Sequence, residues 1–208
     1  MLLTIAIPKG RILKQLAQRL AITGISTEVL NEGSRALIRK DPQHNVQFLL
    51  LKPDDVPTYV EYGVADLGIV GRDTLLERDY DLYIPADLGI GQCRMVIAGL
   101  PQAPLSSFPP GYTLRVATKF NRSAEEYFRT LGIPHETIYV QSSVELAPLT
   151  GLADVIVDLV ESGQTLKDNG LVEFETLHTI SSVIIANRVG YKLKHQKIKP
   201  FLDRLQQG

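Results

Sequence analysis

The sequence predicts an α/β protein made of two similar lobes around a shared cleft. Three observations carry that expectation. Short β-branched runs alternate with helical apolar stripes along most of the chain. The stretch Leu114-Arg115-Val116-Ala117-Thr118-Lys119-Phe120-Asn121-Arg122 parallels Leu3-Thr4-Ile5-Ala6-Ile7-Pro8-Lys9-Gly10-Arg11, each a strand with a basic loop feeding a helix. Later in each half, Gly151-Leu152-Ala153-Asp154-Val155-Ile156-Val157-Asp158 parallels Gly63-Val64-Ala65-Asp66-Leu67-Gly68-Ile69-Val70. The same two features in the same order place residues 1–91 with 179–208 in one lobe and 92–178 in the other. In such lobes, mostly parallel strands would bring their ends and loops to one cleft.

Taken in order, Leu2 to Ile7 reads as the first strand, broken at Pro8-Lys9-Gly10-Arg11. Ile12, Leu13, Leu16, Leu20 and Ile22 then recur at near-helical spacing, with Gly24 as the C-cap. Arg35 to Arg39 looks like a strand with both arginines on one face, and Val46 to Leu51 like a more buried one. Asp54 to Tyr62 suits a short helix with Val56, Tyr59 and Val60 turned inward. A turn at Gly63 leads to a buried strand, then to a Gly-x-Asp loop, Gly71-Arg72-Asp73, that opens another helix. Tyr80 to Ile84 and Cys93 to Gly99 are further strands. Pro101, Pro104, Pro109 and Pro110 mark a surface loop. After the second opening strand, Ala124, Tyr127, Phe128 and Leu131 form a helical stripe, and His135 sits in a Pro-His-Glu turn. Ser181 to Ala186 and Ile198 to Leu205 close the chain as a strand and a helix, returning to the first lobe.

Composition narrows the classes of function. Of 208 residues, 44% are hydrophobic and 22% charged, as in an ordinary globular protein, and the net charge of −1 offers no nucleic-acid or membrane surface. Cys93 is the only cysteine, which excludes an intrachain disulfide and a multi-cysteine metal site. His44, His135, His178 and His195 show no metal-ligand spacing. No basic leader and no long apolar run are present, so the expected location is cytoplasmic.

The chemistry concentrates in Asp154 to Leu166. A β-branched run is ended by an acid, Asp158, and followed by a loop of Glu161, Ser162, Gly163, Gln164 and Thr165. One helical turn, Leu166 to Asn169, is then stopped by Gly170. Such a loop points backbone N–H groups and two hydroxyls at one spot, which suits a phosphate. Asp158 and Glu161 beside it suit sugar hydroxyls. The same tetrapeptide equally suits an ordinary helix cap by Ser162 and Thr165, and local pattern alone leaves the two readings even. Lys9 and Arg11 flank Gly10 between a strand end and a helix start, a second place for an anion where glycine lets the backbone approach.

Together these residues resemble the ATP phosphoribosyltransferase family. The signature stands as Glu145, Gly151, Ala153, Ile156, Asp158, Leu159, Ser162, Gly163, Thr165 and Leu166, and the Pro8 to Arg11 and Asp66 to Asp73 segments are similar to the family's as well. The resemblance implies a fold like type II periplasmic binding proteins. It also implies transfer of the phosphoribosyl group of phosphoribosyl pyrophosphate to N1 of ATP, the first step of histidine biosynthesis, with Mg²⁺ as cofactor carried on the substrate phosphates. The length matches the short form, which implies a histidyl-tRNA-synthetase-like regulatory subunit, a hetero-octamer, and histidine as feedback inhibitor through the complex.

On this reading Glu145, Asp158, Glu161, Ser162, Gly163, Gln164 and Thr165 bind the phosphoribosyl donor. Lys9, Gly10, Arg11, Arg35, Gly71, Asp73 and Arg94 serve ATP, and Asp158, Lys9 and Arg11 carry the catalysis. Two other readings remain: a two-lobed anion- or solute-binding module without chemistry, and a phosphoribosyltransferase that acts on a free base.

Overall fold

The strand β1 (Leu3–Pro8) opens the chain, and its residues alternate between two apolar layers. Leu3, Ile5 and Ile7 join the cluster around α1 (Ile12–Ala21), whereas Ala6 faces the layer under a second helix. The protein is described here from a computed structural model that covers residues 2–10, 12–30 and 35–206. Arg11 lies outside the described residues. After α1, Gly24 adopts a left-handed φ of +87° and its N–H closes on Ala21, as a helix C-cap requires.

Next come β2 (Ile38–Asp41), β3 (Val46–Leu51), α2 (Val56–Glu61), β4 (Leu67–Gly71), α3 (Arg72–Leu76) and β5 (Leu82–Asp87). Then follow β6 (Cys93–Gly99), β7 (Leu114–Thr118), α4 (Asn121–Thr130), β8 (His135–Tyr139), α5 (Leu146–Thr150), β9 (Val155–Val160), α6 (Gln164–Asp168) and β10 (Val172–Ile180). The chain ends with β11 (Ser182–Asn187), α7 (Arg188–Leu193) and α8 (His195–Gln206).

Two compact units result, the first comprising Met1–Leu75, Asp79–Gly91 and Ser181–Gly208, the second Leu76–Arg78 and Gln92–Ile180. The first carries a six-stranded sheet in the order β2-β3-β1-β4-β11-β5, the second a five-stranded sheet in the order β10-β6-β9-β7-β8. Both are mixed rather than mostly parallel. In each unit the strand that opens the repeat pairs parallel with two neighbours, β1 with β3 and β4, β7 with β8 and β9. The flank beyond is antiparallel, β4 with β11 and β9 with β6. Helices cover both faces, so the central strands are mostly apolar, with Asp158 on β9 an exception.

Several expectations are corrected. Arg35 lies before β2 and is exposed, while Arg39, within β2, is buried and donates to the carbonyls of Ala36 and Val29, so the two do not share a face. Tyr59 is 39% and Tyr62 79% exposed, because the short α2 buries only Val56, Pro57 and Val60. The strand expected at Tyr80 to Ile84 starts at Leu82 and runs to Asp87, where β11 supplies its partner. His135 opens β8 instead of turning, since β7 offers it a parallel ladder. Leu131, just past α4, is 52% exposed. No helix among the described residues is long and apolar enough to cross a membrane.

Candidate active site

Within the second unit, β9 does not stop at Asp158. Its antiparallel ladder with β6 continues through Asp158, opposite Val96, to Val160, opposite Arg94. Alternation along β9 puts Val155 and Val157 in the layer under α4, and Ile156 and Val160 in the layer under α5 and α6. Asp158 falls on the second of these faces, between Ile156 and Val160, where an apolar residue would be the ordinary choice. Burial therefore pushes its carboxyl above the usual carboxylate range, and the charge of Glu145 at the start of α5 adds to the rise. The N–H of Leu159, donating to Asp158 Oδ1 at 2.8 Å, and the charge of Lys119 act in the opposite direction.

The loop after β9 is short. Glu161 and Ser162 are exposed, and Gly163 takes a φ of +76° that turns the chain into α6. Gln164 and Thr165, expected in the loop, are the first residues of α6, and Leu166 anchors that helix in the core. No side chain caps α6. The Ser162 hydroxyl accepts only a long bond, 3.3 Å, from the N–H of Gln164, and the Gln164 amide is drawn to Asp168 Oδ1 at 2.6 Å. The donors at this turn are thus presented by backbone geometry. Behind the loop, Glu173 of β10 lies 3.2 Å from where a Cβ on Gly163 would stand, and it accepts from the Arg94 guanidinium at 3.0 Å. Arg94, expected to serve the nucleotide, accordingly stands in the second unit behind this loop.

In the first unit, Lys9 follows β1, is exposed, and is held by its N–H donating to the Leu51 carbonyl at 2.8 Å. Gly10 adopts a φ of +98°, and its carbonyl receives the N–H of Leu13 at 3.0 Å at the start of α1. Gly71 ends β4, and Asp73 folds back over it so closely that a Cβ there would stand 2.1 Å from Asp73 Oδ1. Arg35 is exposed.

Two residues near the loop escaped sequence reasoning. Lys119 was visible only as part of a basic loop, although the parallel with the first repeat, which has Pro8 there, singles it out. Glu173 lies in β10, whose alternation is broken by register shifts between Glu173 and Glu175 and between Thr176 and His178, so its strand pattern is hard to read.

A family model described as "HisG: ATP phosphoribosyltransferase" matches residues 52–207. The chain is 51% identical over 203 residues to an ATP phosphoribosyltransferase of Sorangium cellulosum, covering 98% of this chain and 94% of that one. It is 48% identical over 204 residues to the ATP phosphoribosyltransferase of Bacillus subtilis, at 98% and 94% coverage. Among solved structures, a chain of the ATP phosphoribosyl transferase (HisG:HisZ) complex from Thermotoga maritima aligns with a TM-score of 0.83 at 36% identity, covering 99% of this chain and 98% of that one. With its two mixed sheets, its acid on β9 and the left-handed glycine that opens α6, the chain belongs to the ATP phosphoribosyltransferase family.

Proposed function

We propose that this protein transfers the phosphoribosyl group of phosphoribosyl pyrophosphate to N1 of ATP, giving phosphoribosyl-ATP and pyrophosphate in the first step of histidine biosynthesis. The observation that carries this reading is the half-buried Asp158 beside the turn where the left-handed Gly163 leads into α6, a helix start that no side chain caps, in a chain of this family. In the reaction the adenine N1 lone pair forms the new bond to C1 of the ribose, and pyrophosphate leaves with the electrons of the C1–O bond. C1 gains oxocarbenium character on the way, so the site must orient the sugar and stabilise charge on the departing group.

The 161–165 segment holds the 5-phosphate, with Gly163 letting the backbone approach. Asp158, Glu145 and Glu161 orient the ribose hydroxyls, and the Asp158 charge favours the cationic sugar. Lys9 and Arg11 neutralise pyrophosphate or ATP phosphates, and Gly10, Arg35, Gly71 and Asp73 contribute to the nucleotide. Arg94 acts on the donor side, through Glu173 behind the loop. The domain that carries the donor loop is the second unit.

Mg²⁺ would be carried with the substrate phosphates, beside Asp158 and Glu161, and would supply positive charge against the leaving pyrophosphate. An ion carried this way needs few protein ligands. The described residues contain no group of three or more histidines, cysteines or acids that could hold a metal ion. The expected location is the cytoplasm. The similar Thermotoga maritima chain was solved in a HisG:HisZ complex. By analogy this chain works with a histidyl-tRNA-synthetase-like regulatory subunit through which histidine inhibits.

The test is incubation with ATP, phosphoribosyl pyrophosphate and Mg²⁺, with and without such a subunit, following phosphoribosyl-ATP by absorbance and pyrophosphate release. Product in either arm is the expected result. Donor binding without product in both arms would instead favour a binding module, and product from a free base in place of ATP a different transferase.

A further inference from the structure

The two units carry the same central strand pair in the same register. Ile5 stands opposite Leu67 and Ala6 opposite Gly68 in one, Val116 opposite Val155 and Ala117 opposite Ile156 in the other. Thr118 opposite Val157 ends the second ladder, and Lys119 and Asp158 are the next residue on each side of it. In the first unit the equivalent residues, two beyond the Ala6–Gly68 pair, are Pro8 and Val70. Val70 is fully buried in the apolar layer under α2, the position that Asp158 takes under α5. The first unit has neither the acid nor the lysine at these two places.

Local packing holds Lys119 at this place. The Thr118 hydroxyl donates to the Val157 carbonyl at 2.7 Å and accepts from the Phe120 N–H at 2.8 Å, which pins the chain on both sides of Lys119. Phe120 is buried, and the Lys119 ammonium sits over its ring at 4.7 Å from the centroid. By strand parity Lys119 follows Ala117, which belongs to the layer under α5 and α6, so it emerges on the face that holds Asp158. Asp158 and Glu145 are like charges that act on one another there, and Lys119 is the cation whose charge reaches Asp158.

We propose that Lys119 is a positioning residue for the transfer reaction: its ammonium offsets the Asp158–Glu145 repulsion and holds Asp158 as a set carboxylate for the ribose of the donor. It acts through Asp158, and the proposal rests on the transferase reading above. Its test is steady-state kinetics with the second subunit present, on wild type, Lys119→Met, Lys119→Gln, Lys119→Arg, Asp158→Asn and the K119Q/D158N double variant.

The expected result is a loss of roughly tenfold in kcat/KM for the donor in K119M and K119Q, with KM for ATP unchanged. K119R, which keeps a charge, recovers most of it. In the D158N background K119Q should cost little more, because the partner it serves is gone. K119Q removes only the charge at nearly constant length, so wild-type kinetics in K119Q overturn the proposal even where K119M does not fold. Equal K119Q losses with and without Asp158 also overturn it. Wild-type protein that makes no phosphoribosyl-ATP with its partner would sink the transferase reading itself, a failure distinct from intact K119Q kinetics in an active enzyme.

Discussion

Thr4 and Asp66 hold each other twice. The Thr4 N–H donates to Asp66 Oδ2 at 2.9 Å, and the Asp66 N–H donates back to the Thr4 carbonyl at 2.9 Å. Arg115 and Asp154 repeat the arrangement at 2.8 and 2.9 Å in the second unit. In both, the acid of a Gly-x-Ala-Asp turn pins the second residue of the opening strand and so fixes where the next parallel strand begins. Each acid also has a cation at 2.6 Å, but from different sources, Lys194 in one unit and Arg115 itself in the other. The backbone lock is common to both units, whereas the neutralising charge is particular to each.

Both acids are therefore expected to matter for stability more than for catalysis. Asp66→Ala and Asp154→Ala each leave a backbone N–H and a cation without their acceptor, a loss of about 1–3 kcal/mol. Burial alone would push the Asp154 carboxyl up, but the hydrogen bonds and charge of Arg115 outweigh it and hold it below the usual range. A depressed folded-state pKa contributes stability that is present above the unfolded pKa and lost as pH falls through the folded one. Denaturant titrations of D154A should show the full deficit at neutral pH and a shrinking one in acid. A deficit that grows in acid would contradict the sign.

Gly163→Val tests the turn. Its φ of +76° is strained for any side chain, by about 1–2 kcal/mol, and most for a β-branched one. A Cβ there also meets Glu173 Oε1 at 3.2 Å, so the turn must shift. The fold should survive by circular dichroism, while donor affinity measured by calorimetry falls roughly tenfold or more, the size of one lost charge-assisted hydrogen bond. Normal donor affinity in G163V would remove the turn from the site.

How far these features were legible depended on how local their causes are. Val46 to Leu51 and Cys93 to Gly99 match their strands to the residue, since the apolar runs Phe48 to Leu51 and Met95 to Ala98 at their centres have few alternatives. The twofold repeat was also readable, and Thr4–Asp66 beside Arg115–Asp154 is its structural counterpart. The end of β9 was not, because Asp158 looks like a stop and only the distant β6 ladder carries the strand past it. Nor could local pattern place Arg94, whose partner Glu173 is on a strand far along the chain.

Arg94→Ala should therefore disturb the donor rather than the nucleotide. Without its guanidinium, Glu173 loses its 3.0 Å partner and is free to move toward or away from Gly163. The pair is partly exposed, so the effect on stability should stay below about 1 kcal/mol. The expected kinetic result is a raised KM for phosphoribosyl pyrophosphate with KM for ATP unchanged. The reverse split would return Arg94 to the nucleotide.

Asp158→Asn should separate function from stability. The folded-state pKa of Asp158 is raised, by burial first and by Glu145 second. A raised pKa contributes stability that is full below the unfolded pKa and is lost as pH rises through the folded one, so at neutral pH the ionised carboxylate works against the fold. Asparagine fills the same space under α5 without that charge. D158N should thus melt higher than wild type near pH 8, on the order of a few degrees, with the gap closing toward pH 4. Its turnover should fall steeply while its affinity for ATP holds, because the group that favours the cationic sugar is gone. Thermal melts at the two pH values and turnover at the upper one decide the matter. Lower stability at pH 8 would mean that Lys119 and the Leu159 N–H outweigh burial, and full turnover would take Asp158 out of the chemistry.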